Sequence, residues 1–122
     1  MYTLDTNPII YYAKDDRAVA LPLETLILSS PIYISTITEI ELFSSLNVPQ
    51  SEEERINRLL RALLVVPVDS QIARIAARLR RECRLKLPDS AIAATALFTG
   101  TTLVTRNVRD FKRVPTLMVE KI

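Results

Sequence analysis

Short apolar runs alternate along this chain with longer segments of mixed polarity. Residues 1–4, 32–34, 64–68, 101–105 and 116–119 have the length and the β-branched or aliphatic content of strands. The segments between them carry helical periodicity. Asn7 as a cap and Pro8 at a first helical position predict a short helix through Tyr12, and a second is expected over residues 21–29, ended by Pro31. Ser35 and Thr36 offer caps for a helix running to Ser44. Ser51 followed by Glu54 reads as a capping box opening a helix over residues 52–64. Asp69 caps a long amphipathic helix to about Arg84, with Ile72, Ile75, Ala76 and Leu79 turned inward.

The segment 85–111 organises the rest. Residues 90–98 carry no charge, and a helix apolar on every side is a buried one. Pro88 suits its first position, and Asp89 then falls in the first turn, where free N–H groups favour a carboxylate. Gly100 is the only glycine in the chain and fits a left-handed position just past the helix end. The strand that follows runs directly into Asn107 and Asp110.

Alternating strands and helices argue for an α/β fold, a parallel sheet covered on both faces by right-handed crossovers. In such sheets a ligand sits beyond the carboxyl ends of the strands where strand order reverses. With the first strand beside 103–104 at that point, Asp5 and Asn107 converge, Asp89 leans over the crevice from the start of its helix, and Glu41 approaches from the helix after the second strand. Of the two glutamates on that helix, Glu41 shares a face with Ile37, Ile40 and Ser44, and Glu39 points away with Leu42 and Phe43. Three carboxylates and an amide form a hard-oxygen set suited to Mg²⁺ or Mn²⁺.

Composition narrows the classes. The 122 residues, 48% hydrophobic, suffice for one domain, residues 1–122, with a real core. No histidine is present, and the single Cys83 has no internal partner, so a Cys/His zinc site is excluded and a reducing, cytoplasmic setting is expected. No apolar run reaches membrane-spanning length, and no secretory leader is expected before Met1. A net charge of +2 does not by itself mark a nucleic-acid binder. The distribution matters more: Arg55, Arg58 and Arg61 form one stripe, and Arg78, Arg80, Arg81, Arg84 and Lys86 precede Asp89.

Four motifs in this order resemble the PIN-domain ribonucleases, specifically VapC-type toxins of toxin–antitoxin pairs, over the whole chain. They are Leu4-Asp5-Thr6-Asn7, the segment from Ser35 to Glu41-Leu42, Leu87-Pro88-Asp89 to Ala94, and Leu103-Val104-Thr105-Arg106-Asn107-Val108-Arg109-Asp110-Phe111. The resemblance implies a five-stranded parallel sheet, Mg²⁺-dependent endoribonuclease activity at an acidic pocket, a homodimer, and a small VapB-like antitoxin as partner. By position Asp5, Glu41 and Asp89 match the family's acids, and Thr6 and Thr105 its hydroxyls. Asn107 departs from the pattern, since many members carry aspartate there; an amide offers oxygen without charge, which leaves one or two metals open and makes Asp110 an alternative fourth ligand. Arg78, Arg81, Lys86, Arg106 and Arg109 are the expected RNA-holding cations.

Each residue also has a bland local explanation. Asp5 fits a turn, Asp89 a helix dipole, Glu41 a solvated face, Asn107 a helix cap, and Asp110 a helix start; the joint pattern is what favours a site. Tyr11, Tyr12 and Cys83 are assigned to packing. Ile9, Ile10, Tyr12, Leu42, Phe43 and Leu46 offer an apolar face for an antitoxin helix, or ordinary core. Two rivals stand beside the nuclease. An aspartate-nucleophile phosphoryl-transfer enzyme wants a second acid where this chain has Asn7, and a non-catalytic PIN-like module binding RNA or protein is the alternative that Asn107 admits.

Overall fold

The computed structural model describes residues 1–45 and 47–122. In chain order the elements are β1 (Tyr2–Leu4), α1 (Thr6–Ala13), α2 (Arg17–Ser29), β2 (Ile32–Ser35), α3 (Thr36–Phe43), α4 (Gln50–Leu60), β3 (Leu64–Val66), α5 (Ser70–Cys83), α6 (Leu87–Thr99), β4 (Thr102–Thr105), α7 (Val108–Phe111) and β5 (Val119–Lys121). Among the described residues the strands form one five-stranded sheet in the order β3-β2-β1-β4-β5, and every pairing is parallel. From β1 the chain winds outward through β2 to β3, then α5 and α6 carry it back across to β4. Strand order therefore reverses between β1 and β4, where Thr3 pairs with Leu103 and Leu4 with Val104.

Successive residues of a strand face opposite sides, so the sheet has two cores. Leu103 packs with Ile72, Leu79, Ile92 and Phe111 on the α5/α6 side. Val104 packs with Leu4, Ile9, Leu23, Ile34 and Ile56 on the other. Helix α6 is buried from Ser90 through Ala96, as its uncharged sequence predicts, and its alanines let it lie close to the sheet. Gly100 ends it at φ 66°, where its N–H reaches back to Ala96 and Leu97 carbonyls.

Several boundaries differ from the sequence reading. Asp5, not Asn7, caps α1, because the turn out of β1 already brings its carboxylate to the Thr6 N–H. Helix α2 begins at Arg17, capped by Asp16, since burial of Val19, Ala20 and Leu23 extends its apolar stripe and Pro22 is tolerated on the exposed side. The Ser51 capping box does not form. Pro49 provides the cap of α4, its carbonyl accepting from Glu52 and Glu53, and Ser51 lies inside the helix. That helix stops at Leu60 so that Leu63 can turn into the core before β3. Pro88 stands second rather than first in α6. Strand β5 starts at Val119, because Val114 and Leu117 are buried through a turn that occupies the residues expected to be extended.

Candidate active site

The backbone leaves β1 and enters α1 at Asp5, whose N–H is held by the Val104 carbonyl of the neighbouring strand at 3.0 Å. This fixes Asp5 on the reversal point between β1 and β4. Its carboxylate is nearly buried and accepts two hydrogen bonds, from the Thr6 N–H at 2.8 Å and from the Thr105 hydroxyl at 2.7 Å. Thr105 is the last residue of β4, so the two strands meet through these side chains as well as through the ladder. The Thr6 hydroxyl donates to Glu41 Oε1 at 2.7 Å, and the Thr38 hydroxyl lies 3.1 Å from it. Thr6 thus ties the acid that follows β1 to the acid of α3, its N–H donating to Asp5 and its hydroxyl to Glu41.

On α3, Thr38 and Leu42 face inward while Ile40 is 61% exposed and Phe43 44%. The face that Glu41 shares with Ile40 and Ser44 is therefore the solvent side of the helix. Glu41 itself is solvent-accessible, and the Thr6 hydroxyl orients it. Thr38 escaped the sequence reading. Its complete burial marks it in the structure, whereas a threonine just before a helical glutamate carries no local signal.

Asp89, in the first turn of α6, makes no hydrogen bond or ion pair among the described residues, yet it feels the other acids. Burial, then the charges of Asp5, Glu41 and Asp110, push its carboxyl from 3.8 up to about 6, with Lys86 opposing. Burial likewise raises Asp5 above its ordinary value, against the Thr105 and Thr6 hydrogen bonds, and Glu41 adds to the rise. Asp110 moves the other way. The Asn107 amide donates to its Oδ2 at 2.8 Å and holds it below the usual carboxylate range, helped by Arg113, Lys86 and Arg109. Arg113 also pairs with its Oδ1 at 3.3 Å and reaches the Arg84 carbonyl at the end of α5. Arg113 is a second residue the sequence did not single out, being one cation among many.

Asn107 occupies the cap position of α7 without a capping side-chain bond. Its N–H donates to the Thr105 hydroxyl at 2.9 Å, so one hydroxyl links Asp5 and Asn107. Of the expected basic residues, Lys86, Arg106 and Arg109 lie at the site, the first and last through their influence on Asp110 and Arg106 beside Thr105. Arg78 and Arg81 are exposed on α5, and no contact or charge effect joins them to the acids among the described residues. Arg55 leaves its stripe to clamp α4 on α1, donating to the Ala13 carbonyl at 2.8 Å. Tyr11, expected in the core, is 39% exposed and lies under Arg106.

Among the described residues Asp5, Glu41 and Asp89 form no ion pair, and their charges work against one another. Such oxygen donors fit a hard divalent cation, which would relieve the repulsion. Among the described residues no three acids stand close enough together to form a closed ligand set. Beside Glu41 a groove of about 350 Å³ runs between α1, α3 and α4, lined by Ile10, Ala13, Leu42, Val48 and Ile56 among others. Ile9 and Leu42 belong to the core, Ile10 and Tyr12 are half-buried, and Leu46 lies outside the described residues.

An all-parallel α/β sheet whose reversal point carries carboxylates linked through threonines defines a class in which the strand ends build an acidic crevice. The PIN-domain model matches residues 2–117, and the chain belongs to the PIN-domain family. It is 30% identical to Ribonuclease VapC2 of Rickettsia felis, covering 98% of this chain and 96% of that protein. Its fold superposes on the structure of VapBC2 from Rickettsia felis bound to a promoter DNA fragment with a TM-score of 0.84 and 27% identity, over 99% of this chain and 98% of that one. A toxin–antitoxin complex from Klebsiella pneumoniae gives 0.82 and 31%, over the full length of both chains.

Proposed function

We propose that residues 1–122 act as a single PIN-like nuclease domain, a divalent-metal-dependent endoribonuclease serving as the toxin of a type II toxin–antitoxin pair. The observation that carries this reading is the cluster at the β1/β4 reversal point, where Thr105 and Thr6 orient Asp5 and Glu41 and the charges of both act on Asp89. The name Ribonuclease VapC2 on a relative aligned over nearly the whole chain supports the reaction class. The toxin–antitoxin complexes among its structural neighbours support a VapB-like antitoxin as partner.

Asp5 and Asp89 would hold Mg²⁺ or Mn²⁺ with Glu41, and Asn107 or Asp110 would complete the shell. When bound, such a cation lowers the pKa of its water and neutralises charge developing on the phosphate. The chain's own groups do the rest. Thr105 and the Thr6 N–H orient both oxygens of Asp5, and the Thr6 hydroxyl orients Glu41. The Asn107 amide and Arg113 compensate Asp110, so that this flank of the crevice admits a phosphate. Lys86, Arg106 and Arg109 hold the RNA backbone by charge. The groove beside Glu41, apolar along Ile10, Ala13, Leu42 and Ile56 and polar at Lys14, Ser45 and Glu52, takes an amphipathic antitoxin helix, and a homodimer completes the proposal.

Cleavage of a defined RNA that requires Mg²⁺ or Mn²⁺, stops with EDTA and is lost in Asp5→Asn is the expected result. Cleavage surviving both treatments, in protein free of contaminating nuclease, would remove the mechanism. RNA binding without cleavage at any divalent ion concentration would instead select the non-catalytic PIN-like module. Sedimentation of the isolated chain reports the homodimer, and co-purification with the product of the neighbouring reading frame reports the antitoxin.

A further inference from the structure

Charge holding accounts for only part of what Arg106 offers. It follows Thr105, whose hydroxyl touches Asp5, so its backbone stands at the edge of the acid crevice. Its side chain turns neither to Asp5 nor to Glu41 or Asp89. Among the described residues it makes no ion pair or hydrogen bond, and its guanidinium carbon lies 4.8 Å from the centroid of the Tyr11 ring. Tyr11 belongs to α1, the helix that Asp5 caps, and is 39% exposed. The two side chains at the rim thus support each other, with Arg106 outermost and exposed.

We infer that the outer face of Arg106, backed by Tyr11, is a stacking subsite for an unpaired base of a single-stranded RNA whose backbone passes the acid crevice. The inference rests on the nuclease reading above and adds to it a preference for unpaired bases. A guanidinium is planar, weakly hydrated and carries its donors in its own plane, so a flat face remains for stacking while the edge still meets phosphate. Bases of single-stranded RNA stack on aromatic rings and on arginine planes, and a base paired within a duplex cannot turn out to do so. Lys86 and Arg109 already supply charge near Asp110. Lys86 has no flat face, and among the described residues only the Arg106 guanidinium is backed by an aromatic ring. Tyr11 is the positioning residue: its ring holds the guanidinium at the rim, where among the described residues it pairs with no carboxylate. Stacking of this kind tolerates any base, so the subsite selects single strands rather than a sequence.

The test compares two chains of equal charge in EDTA, where hydrolysis does not interfere: a short single-stranded oligoribonucleotide and an abasic ribose-phosphate chain of the same length. The wild-type protein is expected to bind the base-bearing chain more tightly by about tenfold, the size of one base stack. Arg106→Lys keeps the charge, loses the plane, and is expected to bring that ratio close to one, the ratio and not the affinity for either chain being the readout. Tyr11→Leu is expected to reduce the ratio and Tyr11→Phe to restore it. A ratio unchanged in both Arg106→Lys and Tyr11→Leu, with only their melting temperatures altered, makes the pair a clamp between α1 and the end of β4 and overturns the subsite alone. Failure of the wild-type protein to bind either chain overturns the RNA reading and the subsite with it.

Discussion

Asp89 is the place where the proposed site and the stability of the fold pull hardest against each other, and Asp89→Asn separates the two. In the folded chain its carboxyl is pushed from 3.8 up to about 6, chiefly by burial and by the charges of Asp5, Glu41 and Asp110. Such a displacement corresponds to about 3 kcal/mol in favour of the neutral form. Asp89 is only half-buried, and solvent screening reduces the usable figure to about 1–2 kcal/mol. Between pH 4 and pH 6 the folded state keeps a proton the unfolded chain has released, so Asp89's share of stability falls as pH rises. The full penalty is present above the folded value and absent below 3.8. Asn has nearly the same shape and no charge. In EDTA at pH 7.5, Asp89→Asn should therefore be more stable than the wild type by about 1–2 kcal/mol, or roughly 4–8 °C in Tm for a domain of this size. The advantage should vanish near pH 3.5. Urea denaturation and thermal melts followed by circular dichroism read both quantities. Adding Mg²⁺ should raise the wild-type Tm and leave the variant unmoved, because ligand binding to the folded state stabilises it by mass action. A variant less stable than wild type at pH 7.5, or an advantage that persists undiminished at pH 3.5, refutes the reasoning.

Thr105→Val removes the hydroxyl that serves both Asp5 and the Asn107 N–H and leaves a buried carboxylate oxygen without a donor. Urea denaturation should show a loss of about 1–3 kcal/mol, and unchanged stability would mean that the hydroxyl is dispensable. The double variant Lys86→Ala/Arg109→Ala should bind RNA more weakly and with a shallower salt dependence, while Arg78→Ala/Arg81→Ala should behave as wild type, since only the first pair acts on the acid cluster. Equal effects of the two doubles in a salt titration would show that the α5 arginines reach the substrate. Asn107→Asp replaces the amide that donates to Asp110 with a second carboxylate at the same place. In EDTA at pH 7.5 it should destabilise the protein by about 1–2 kcal/mol, recovered at pH 3.5, while tightening Mg²⁺ in a calorimetric titration; unchanged Mg²⁺ affinity would place Asn107 outside the metal's reach.

The frame of this site was legible because its signals are local and periodic. The uncharged run in α6 can only be a buried helix, its lone glycine can only be the stop, and an acid directly after β1 and an amide two residues after the adjacent β4 fall where α/β sheets open. What escaped depends on contacts distant in sequence. Nothing near Thr38 announces that Thr6 lies beside it, and nothing in Arg113 distinguishes it from the chain's other cations until Asp110 and the Arg84 carbonyl are seen on either side. The helix-cap errors have the same origin. Ser51 has the sequence of a capping box, but Pro49 turns the chain earlier, and Asn7 has the chemistry of a cap, but the Asp5 side chain is already there. The inward side of α3 was not legible for a related reason. Ile40 is apolar yet exposed, because Thr38 and Leu42 are the residues that meet the rest of the fold.

The acids divide into two sets with opposite electrostatics. Asp5 and Asp89 are held above their ordinary values, and no cation pairs with either of them or with Glu41 among the described residues. Asp110, nearby, is held below its ordinary value by an amide and is surrounded by Arg113, Lys86 and Arg109. A crevice built only for stability would have mixed these groups, since pairing a cation with Asp89 would remove its penalty. Instead the cations gather on one flank, and the unpaired carboxylates remain on the other. An approaching phosphodiester is repelled by the first set and attracted by the second, whereas a divalent cation experiences the reverse. The amide at Asn107 sits on the boundary, joined to Asp5 through the Thr105 hydroxyl and to Asp110 through its own Nδ2. A carboxylate there would enlarge the cation-binding set but would strip Asp110 of a compensating donor. Asn107 therefore marks where the acidic flank ends, and under the proposed function it would trade pull on the cation for tolerance of the phosphate.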